Sequence, residues 1–373
     1  MDIYKEIIKY HQSNSTTDVK KFSKIILYGA GNLGKKLYEE LTRAGIEVVG
    51  IIDRNAAQIA FHGKVCTLEE AQSRFDKNVP VLLSGLFGKK NEKIIREDLQ
   101  AAGFANLYSL YQLDWQELMD TAFGKSIFIG DYKPENLSRD IKEIEHAYHL
   151  FAEDEDKNYF LKYIAAYVHN NFTEFAEPEF MAEQYSGNGL AAAMDYTRLM
   201  DCGAYDGDSL LNLLAQGKKI NAYLAFEPQA ELCNKIRNLS GKIPVDAVSA
   251  IPCGVSNTVE QKCFSVGEDG KSAGKAAADG TEVIQCMPVD MIGDIFQPTF
   301  IKMDIEGMEP FALKGAVNTI KKYKPALAVC VYHDLSHIWK IPAMVHDMNK
   351  EYRFYLRTYQ IMGLETVLYA VPK

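Results

Sequence analysis

Short apolar runs and amphipathic stretches alternate along most of this chain. Lys24 to Tyr28 is an apolar run that leads into Gly29-Ala30-Gly31-Asn32-Leu33-Gly34. The residues after it place Leu37, Leu41 and Ala44 at helical spacing, and Val48 to Ile52 is a second apolar run that ends on Asp53. This is the pattern of a strand, a glycine turn, a helix and a second strand. Further strands are expected at Val79 to Leu83 and Asn106 to Leu110, with a helix from Asn91 to Ala102 between them and an opening helix from Ile3 to His11. Together they predict a four-stranded, doubly wound domain over residues 1–125.

Residues 126–197 read as a helical connector. Ile141, Ile144 and Tyr148 share one helical face, and Phe160, Tyr163, Ile164 and Val168 share another. Acids from Glu153 to Asp156 sit where a helix N-terminus favours them. His146, His149 and His169 are expected on helix surfaces or in packing, not on a metal. The turn-rich stretch from Gln184 to Gly189 could close over a ligand or serve as a plain linker.

From residue 198 to 373 the alternation resumes. Strands are expected at Leu199 to Cys202, Tyr223 to Phe226, Val245 to Cys253 and Ala326 to Tyr332, with a further strand and its exit at Thr299 to Gly307. Helices are expected at Asp208 to Ala215, Glu231 to Leu239, Pro310 to Lys321 and Ile341 to Lys350. Two strand-like runs, Lys262 to Val266 and Glu282 to Met287, flank a Gly/Ala/Lys-rich loop from Gly267 to Gly280 whose composition is flexible. Arg353 to Thr358 and Glu365 to Val371 form a closing hairpin. The fold class is therefore α/β, with two doubly wound Rossmann-like domains.

Both domains carry the same chemical device. In each, a glycine turn opens a helix and an acid ends the next strand. Glycines let backbone approach a ligand, helix starts present unpaired N–H groups, and the acid can accept hydrogen bonds from ribose hydroxyls. In the first domain the device is Gly29, Gly31, Asn32, Leu33 and Gly34 with Asp53. It points to NAD or a nucleotide-sugar, or to a scaffold that kept the turn for helix–strand packing. In the second it is DCGAYDGDS over residues 201–209 with Glu227 and Pro228.

Composition narrows the partners. The 373 residues are 47% apolar and 24% charged, as a globular protein requires. A net charge of −9 disfavours nucleic acid and anionic membrane surfaces. No apolar run is long enough to span a bilayer, and the first residues lack a signal-peptide core. Seven cysteines with no C-x-x-C pair, mostly inside apolar runs, point to a reducing compartment, by default the cytoplasm.

The order of elements from residue 198, closed by a hairpin, is the seven-stranded plan of class I S-adenosylmethionine methyltransferases. Several stretches resemble the FkbM family of methyltransferases: DCGAYDGDS at 201–209, Phe226-Glu227-Pro228, PVD at 288–290, FIKMDIEGME at 300–309, LKG at 313–315 and LYAVP at 368–372. The resemblance covers about residues 195 to 373. It implies S-adenosylmethionine as donor and methyl transfer to a hydroxyl, commonly on a sugar, glycan or secondary metabolite. The glycine loop is spaced Gly203-x3-Gly207 and not G-x-G-x-G.

That resemblance implies a cofactor site of Asp201, Gly203, Ala204, Tyr205, Asp206, Gly207, Ser209, Glu227, Pro228, Gly254 and Val255. Asp201 would lie near the methionine end, Glu227 at the ribose, and the turn around Gly254 and Val255 at the adenine. Activating a hydroxyl needs a base or a cation. Alternation in the Phe300–Gly307 run puts Lys302, Asp304 and Glu306 on one side. Lys302 is expected to pair with a buried acid. Asp304 and His333 are the candidate catalytic residues, with His333 the better base. Asp304 and Glu306 could instead hold a divalent cation; no other metal ligand set is expected. The partners implied are a small-molecule or glycan acceptor, with room for a homodimer. An NAD or nucleotide-sugar protein run by the first domain is the alternative, and a non-catalytic nucleotide sensor a third.

Overall fold

The run Lys24–Tyr28 (β1) is the central strand of a five-stranded sheet in a computed structural model of the chain. The model describes residues 2–9, 17–59, 61, 65–114, 134–169, 172–175, 178–179, 181–187, 189–190, 193–265, 275–276, 280 and 282–373. The other strands are β2 (Glu47–Ile52), β3 (Val65–Cys66), β4 (Val81–Leu83) and β5 (Leu107–Ser109). Their order is β3-β2-β1-β4-β5, all parallel, which is a doubly wound arrangement. The sequence predicts four of these strands. The fifth, β3, has two residues, too few for any periodicity to show. Helices α1 (Ile3–Lys9), α2 (Asn32–Arg43), α3 (Leu68–Arg74) and α4 (Lys89–Ala101) accompany the sheet. Leu37 and Leu41 of α2 are fully buried, but Ala44 is exposed at the helix end and Ile46 takes the next core position.

Chain contacts divide the molecule into two units: residues 1–134, 161–178 and 360–364, and residues 135–160, 179–359 and 365–373. The expected connector is thus split between them. It contains α5 (Leu137–Leu150) and α6 (Asp154–His169). Of the acids at the start of α6, Asp156 is buried and accepts hydrogen bonds from the Leu356 N–H and the Arg357 guanidinium, both at 2.9 Å. The expected boundary at residue 125 lies outside the described residues.

In the second unit a seven-stranded sheet joins β6 (Arg198–Cys202), β7 (Ala222–Phe226), β8 (Ala247–Ile251), β13 (Phe300–Met303), β14 (Ala326–Cys330), β15 (Tyr352–Thr358) and β16 (Thr366–Pro372). The order is β8-β7-β6-β13-β14-β16-β15, with only β16 antiparallel to its neighbours. Every residue of β7, β13 and β14 is buried, as strands covered on both faces must be. A core of Leu199, Leu210, Tyr223, Ile236, Phe300 and Tyr369, among others, lies on one of those faces.

A smaller sheet interrupts this plan between β8 and β13. It is built of β9 (Gly254–Val255), β10 (Glu260–Ser265), β11 (Lys275–Ala276) and β12 (Glu282–Met287), in the order β9-β12-β10-β11. Most of the Gly267–Gly280 loop lies outside the described residues. The expected helix Pro310 to Lys321 is two helices, α10 (Glu309–Lys314) and α11 (Val317–Tyr323). Two contacts break it. A Cβ on Gly315 would stand 2.1 Å from the Ser256 carbonyl oxygen. The Asp290 carboxylate accepts the N–H groups of Asn318 and Thr319 at 3.0 and 2.8 Å, starting a new helix there. The remaining helices of the sheet are α7 (Asp208–Ala215), α8 (Ala230–Arg237), α9 (Asp290–Phe296) and α12 (His337–Met348). Among the described residues no helix is long and apolar enough to cross a membrane.

Candidate functional site

The loop between β6 and α7 is held open by its glycines. Gly203 has φ +82°, and a Cβ there would stand 1.9 Å from the Asp304 carbonyl oxygen. Gly207 has φ +90° and opens α7 from the left-handed region. Tyr205, with φ +48°, holds the same conformation without being glycine. The Gly203 N–H donates to the Phe226 carbonyl at 2.9 Å, which ties the loop to the end of β7.

Glu227 follows directly. Its Oε2 accepts the Tyr205 N–H at 3.1 Å and its Oε1 the Gln229 N–H at 2.9 Å. Each oxygen keeps a further lone pair for a ligand. The residue is 5% exposed, and burial pushes its carboxyl up to about 7 against the pull of those two N–H groups.

Glu227 lines an open cleft. Of the expected cofactor residues, Gly203, Tyr205, Glu227, Pro228, Gly254 and Val255 line it too. Phe264, Ile284 and Cys286 of the small sheet form an apolar part of the wall, and Asp304, Ile305, Glu306 and Met308 another part. Phe264, Ile284, Met308 and Gln229 were not foreseen. Runs 262–266 and 282–287 look like strands in the sequence, but nothing in them says what they face. Ala204 is buried in the core, while Asp206 and Ser209 are half-buried beside the loop.

Asp201 does not reach the cleft as expected. It is fully buried within the sheet, where Lys302 on the adjacent strand lies opposite it in register. Their charged groups are 3.0 Å apart, and the Tyr223 hydroxyl donates to Asp201 at 2.8 Å. Burial alone would lower the Lys302 ammonium, but Asp201 and Asp304 outweigh it and hold it well above its ordinary range. Lys302 also donates to the Gly203 carbonyl at 2.6 Å. The expected pairing of Lys302 with a buried acid therefore has a further effect: the pair clamps the glycine loop from below. The alternation that put Lys302 beside Asp304 and Glu306 stops at Met303, where β13 ends.

Asp304 and His333 do come together. The Tyr185 and Tyr332 hydroxyls donate to the two Asp304 oxygens at 2.9 and 3.3 Å. His333 Nε2 lies 3.5 Å from Asp304 Oδ1 and 3.7 Å from Glu306 Oε2. On the other side of the ring, Nδ1 lies 3.0 Å from Glu309 Oε1. Burial would lower the His333 pKa, but the Glu309 charge, with Asp304 and Glu306, raises it to about 10. Glu309 is fully buried, which would raise its carboxyl; the charge and contact of His333, with His337 and the Ile305 N–H, bring it down to about 2. Its Oε1 accepts the Ile305 N–H at 3.0 Å, so one carboxylate holds both the exit of β13 and the ring at the exit of β14. His337 Nδ1 stands 3.5 Å from its Oε2.

Glu309 and Tyr185 are the residues that sequence reading missed. Glu309 lies at the end of the FIKMDIEGME run, whose last acid carries no sign of burial. Tyr185 sits in the stretch from Gln184 to Gly189, which is no loose lid at this point: Tyr185 is buried, and its N–H donates to the Tyr369 hydroxyl at 3.0 Å.

In the first unit, Gly29 has φ +114° and its N–H donates to the Ile52 carbonyl at 2.8 Å. A Cβ on Gly34 would stand 2.0 Å from the Gly29 oxygen, whereas beside Gly31 there is open space. Asn32 and Leu33 open α2. Asp53 accepts the Ala30 and Asn55 N–H groups, each at 2.8 Å.

Comparison with known proteins bears on the second unit. Residues 201–360 match the family model of the methyltransferase FkbM domain. The fold is similar to the crystal structure of methyltransferase FkbM from Methylobacillus flagellatus KT, with 20% identity, a TM-score of 0.65, and coverage of 99% of this chain and 93% of that one. A fibrillarin/Nop5p complex is a far weaker likeness, with 10% identity, coverage of 54% and 84%, and a TM-score of 0.29. No curated protein sequence matches the chain.

Proposed function

We propose, from the match of residues 201–360 to the methyltransferase FkbM family model, that this chain moves a methyl group from S-adenosylmethionine to a hydroxyl of a sugar, glycan or secondary-metabolite acceptor. The observation that carries the cofactor assignment is Glu227: a buried carboxylate, oriented by two backbone N–H groups, lining a cleft beside the Gly203 backbone. Bound there, S-adenosylmethionine supplies an activated methyl group. The chain's own task is then alignment and removal of one proton. Glu227 would accept the ribose hydroxyls. Val255, Phe264 and Ile284 offer an apolar surface suited to an adenine ring, which excludes water around it.

The hydroxyl acceptor is supported by Asp304, which lines the same cleft, with His333 buried behind it. Asp304, oriented by Tyr185 and Tyr332, would accept the hydrogen bond of the incoming hydroxyl, with His333 as its ionic partner. The seven free cysteines support a reducing compartment, hence the cytoplasm. Isothermal titration calorimetry with S-adenosylmethionine and with its demethylated product tests the assignment: one equivalent of each should bind, and heat changes indistinguishable from dilution would end it.

A second nucleotide at Gly29–Gly34 is the alternative, supported by Asp53 accepting two backbone N–H groups and by the open space beside Gly31. Quenching or enhancement of NADH fluorescence on mixing is expected under it; an unchanged spectrum removes it.

A further inference from the structure

We infer that His333 serves this site as a fixed imidazolium and not as the base: anchored by Glu309, it positions the Asp304 carboxylate, and Asp304 takes the proton of the acceptor hydroxyl. The inference rests on the methyltransferase reading and deepens it by dividing the work between the two residues.

The ring has carboxylates on both of its edges. Nδ1 lies 3.0 Å from Glu309 Oε1, while Nε2 lies 3.5 Å from Asp304 Oδ1 and 3.7 Å from Glu306 Oε2. A neutral imidazole has one N–H and one lone pair, so in this place it would turn a lone pair toward an anion. The imidazolium carries an N–H on both nitrogens and meets acceptors on each side. Burial would lower the ring's pKa, but Glu309, with Asp304 and Glu306, raises it to about 10. A ring without a free lone pair cannot act as the base. The positive charge expected beside Asp304 and Glu306 from a divalent cation is then carried by the chain's own histidine.

Position gives the same division. Asp304 is part of the cleft lining, whereas His333 lies behind it, its side chain 8% exposed. Asp304 Oδ1 faces the Tyr332 hydroxyl at 3.3 Å and His333 Nε2, and Oδ2 accepts the Tyr185 hydroxyl at 2.9 Å. Each carboxylate oxygen offers about two lone-pair sites, so the one left over is on Oδ2. An acceptor hydroxyl can donate to it there. As the acceptor oxygen bonds to the methyl carbon, the carbon–sulfur bond breaks with its electron pair left on sulfur. The hydroxyl proton passes to Asp304 Oδ2 and from there to water.

Glu309 anchors this arrangement. It is fully buried, and its Oε1 also accepts the Ile305 N–H at 3.0 Å and the Gly307 N–H at 3.4 Å. One carboxylate therefore holds both the ring and the turn that follows Asp304. His337 Nδ1 stands 3.5 Å from Glu309 Oε2, but burial keeps that ring's pKa below its ordinary value, so Glu309 pairs with one charged ring and one neutral ring. The other titratable groups facing His333 are Tyr332, with its ring centroid 4.1 Å away, and Glu365, just before β16.

Long-range ¹⁵N–¹H correlation spectra of the full chain, labelled at its eight histidines, test this without the acceptor. At pH 8.5, about two units above the ordinary imidazole value, we expect one ring with both nitrogens protonated. His333→Gln should remove that signal, and Glu309→Gln should leave the ring neutral at that pH. In Glu309→Gln the Asp304 Cγ resonance, assigned by its loss in Asp304→Asn, should also shift with the same midpoint as the ring, which a merely structural Glu309 would not produce. No doubly protonated ring in the wild-type chain, one that persists in His333→Gln, or an Asp304 resonance indifferent to the ring's titration overturns the inference. Because the first result is read on the unaltered chain, a variant that fails to fold does not blunt the test. Calorimetry with S-adenosylmethionine on the same samples separates the two claims: cofactor binding with a neutral His333 sinks only this inference, and a doubly protonated His333 without cofactor binding sinks only the methyltransferase reading.

Discussion

The two glycine loops of this chain share their backbone plan and differ in what surrounds it. In each, the first glycine has a positive φ and donates its N–H to the last carbonyl of the second strand: Gly29 to Ile52, Gly203 to Phe226. The acid that follows accepts one N–H from the loop and one from two residues ahead: Asp53 from Ala30 and Asn55, Glu227 from Tyr205 and Gln229. Even the first glycine's carbonyl is held in both, by the Ser84 hydroxyl at 2.8 Å in one and the Lys302 ammonium at 2.6 Å in the other.

The difference lies after the third strand. In the first unit β3 passes through Thr67 directly into α3, capped by reciprocal Thr67 and Glu70 bonds. In the second unit β8 is followed by the four-stranded sheet that supplies Val255, Phe264 and Ile284. A glycine loop and an acid thus make a rigid turn anywhere in a doubly wound fold. A binding cleft needs a wall besides, and here an insertion provides it.

The largest expected break in this comparison concerns the two clamps. Lys302→Met strips the fully buried Asp201 of its ionic partner, and should cost about 3–5 kcal/mol in chemical denaturation. Ser84→Ala removes a single neutral bond and should cost about 0.5–1.5 kcal/mol. Equal losses would mean that the ionic clamp is no stronger than the neutral one.

Next in size is the difference between the acids. Glu227→Gln should weaken S-adenosylmethionine by about 1.5–3 kcal/mol, roughly 10–150-fold, because a neutral amide replaces a charged acceptor. Asp53→Asn should leave that affinity unchanged. A comparable loss from Asp53→Asn would place the cofactor at the wrong loop.

The smallest effect is in pH. Burial raises the Glu227 carboxyl to about 7, above its ordinary value near 4.5. Its contribution to stability is therefore full below about 4.5, where both folded and unfolded forms are protonated, and is lost as pH rises through about 7. Cofactor binding should run the other way, since ribose hydroxyls favour the ionised acid. Affinity is expected to be about tenfold higher at pH 8 than at pH 6, and Glu227→Gln should flatten the profile. A wild-type profile that is already flat would show that ionisation of Glu227 does not matter to binding.

The sequence by itself determined the order of strands and helices, the closing hairpin and both glycine-acid pairs. Apolar periodicity and glycine spacing are local properties, written within a few residues of each other. Asp304, Glu227 and His333 were legible too as residues at strand ends, where an open α/β sheet places its candidate site. Only the tertiary structure decided what those residues face. Asp201 and Asp304 are both acids near a strand end, yet one is sealed beneath the sheet by Lys302 and the other opens on the cleft. Glu309 became the partner of His333 through a strand crossover that no run of residues encodes. Burial, partner and charge state depend on which distant segments meet. That is settled by packing over the whole core, not by spacing along the chain.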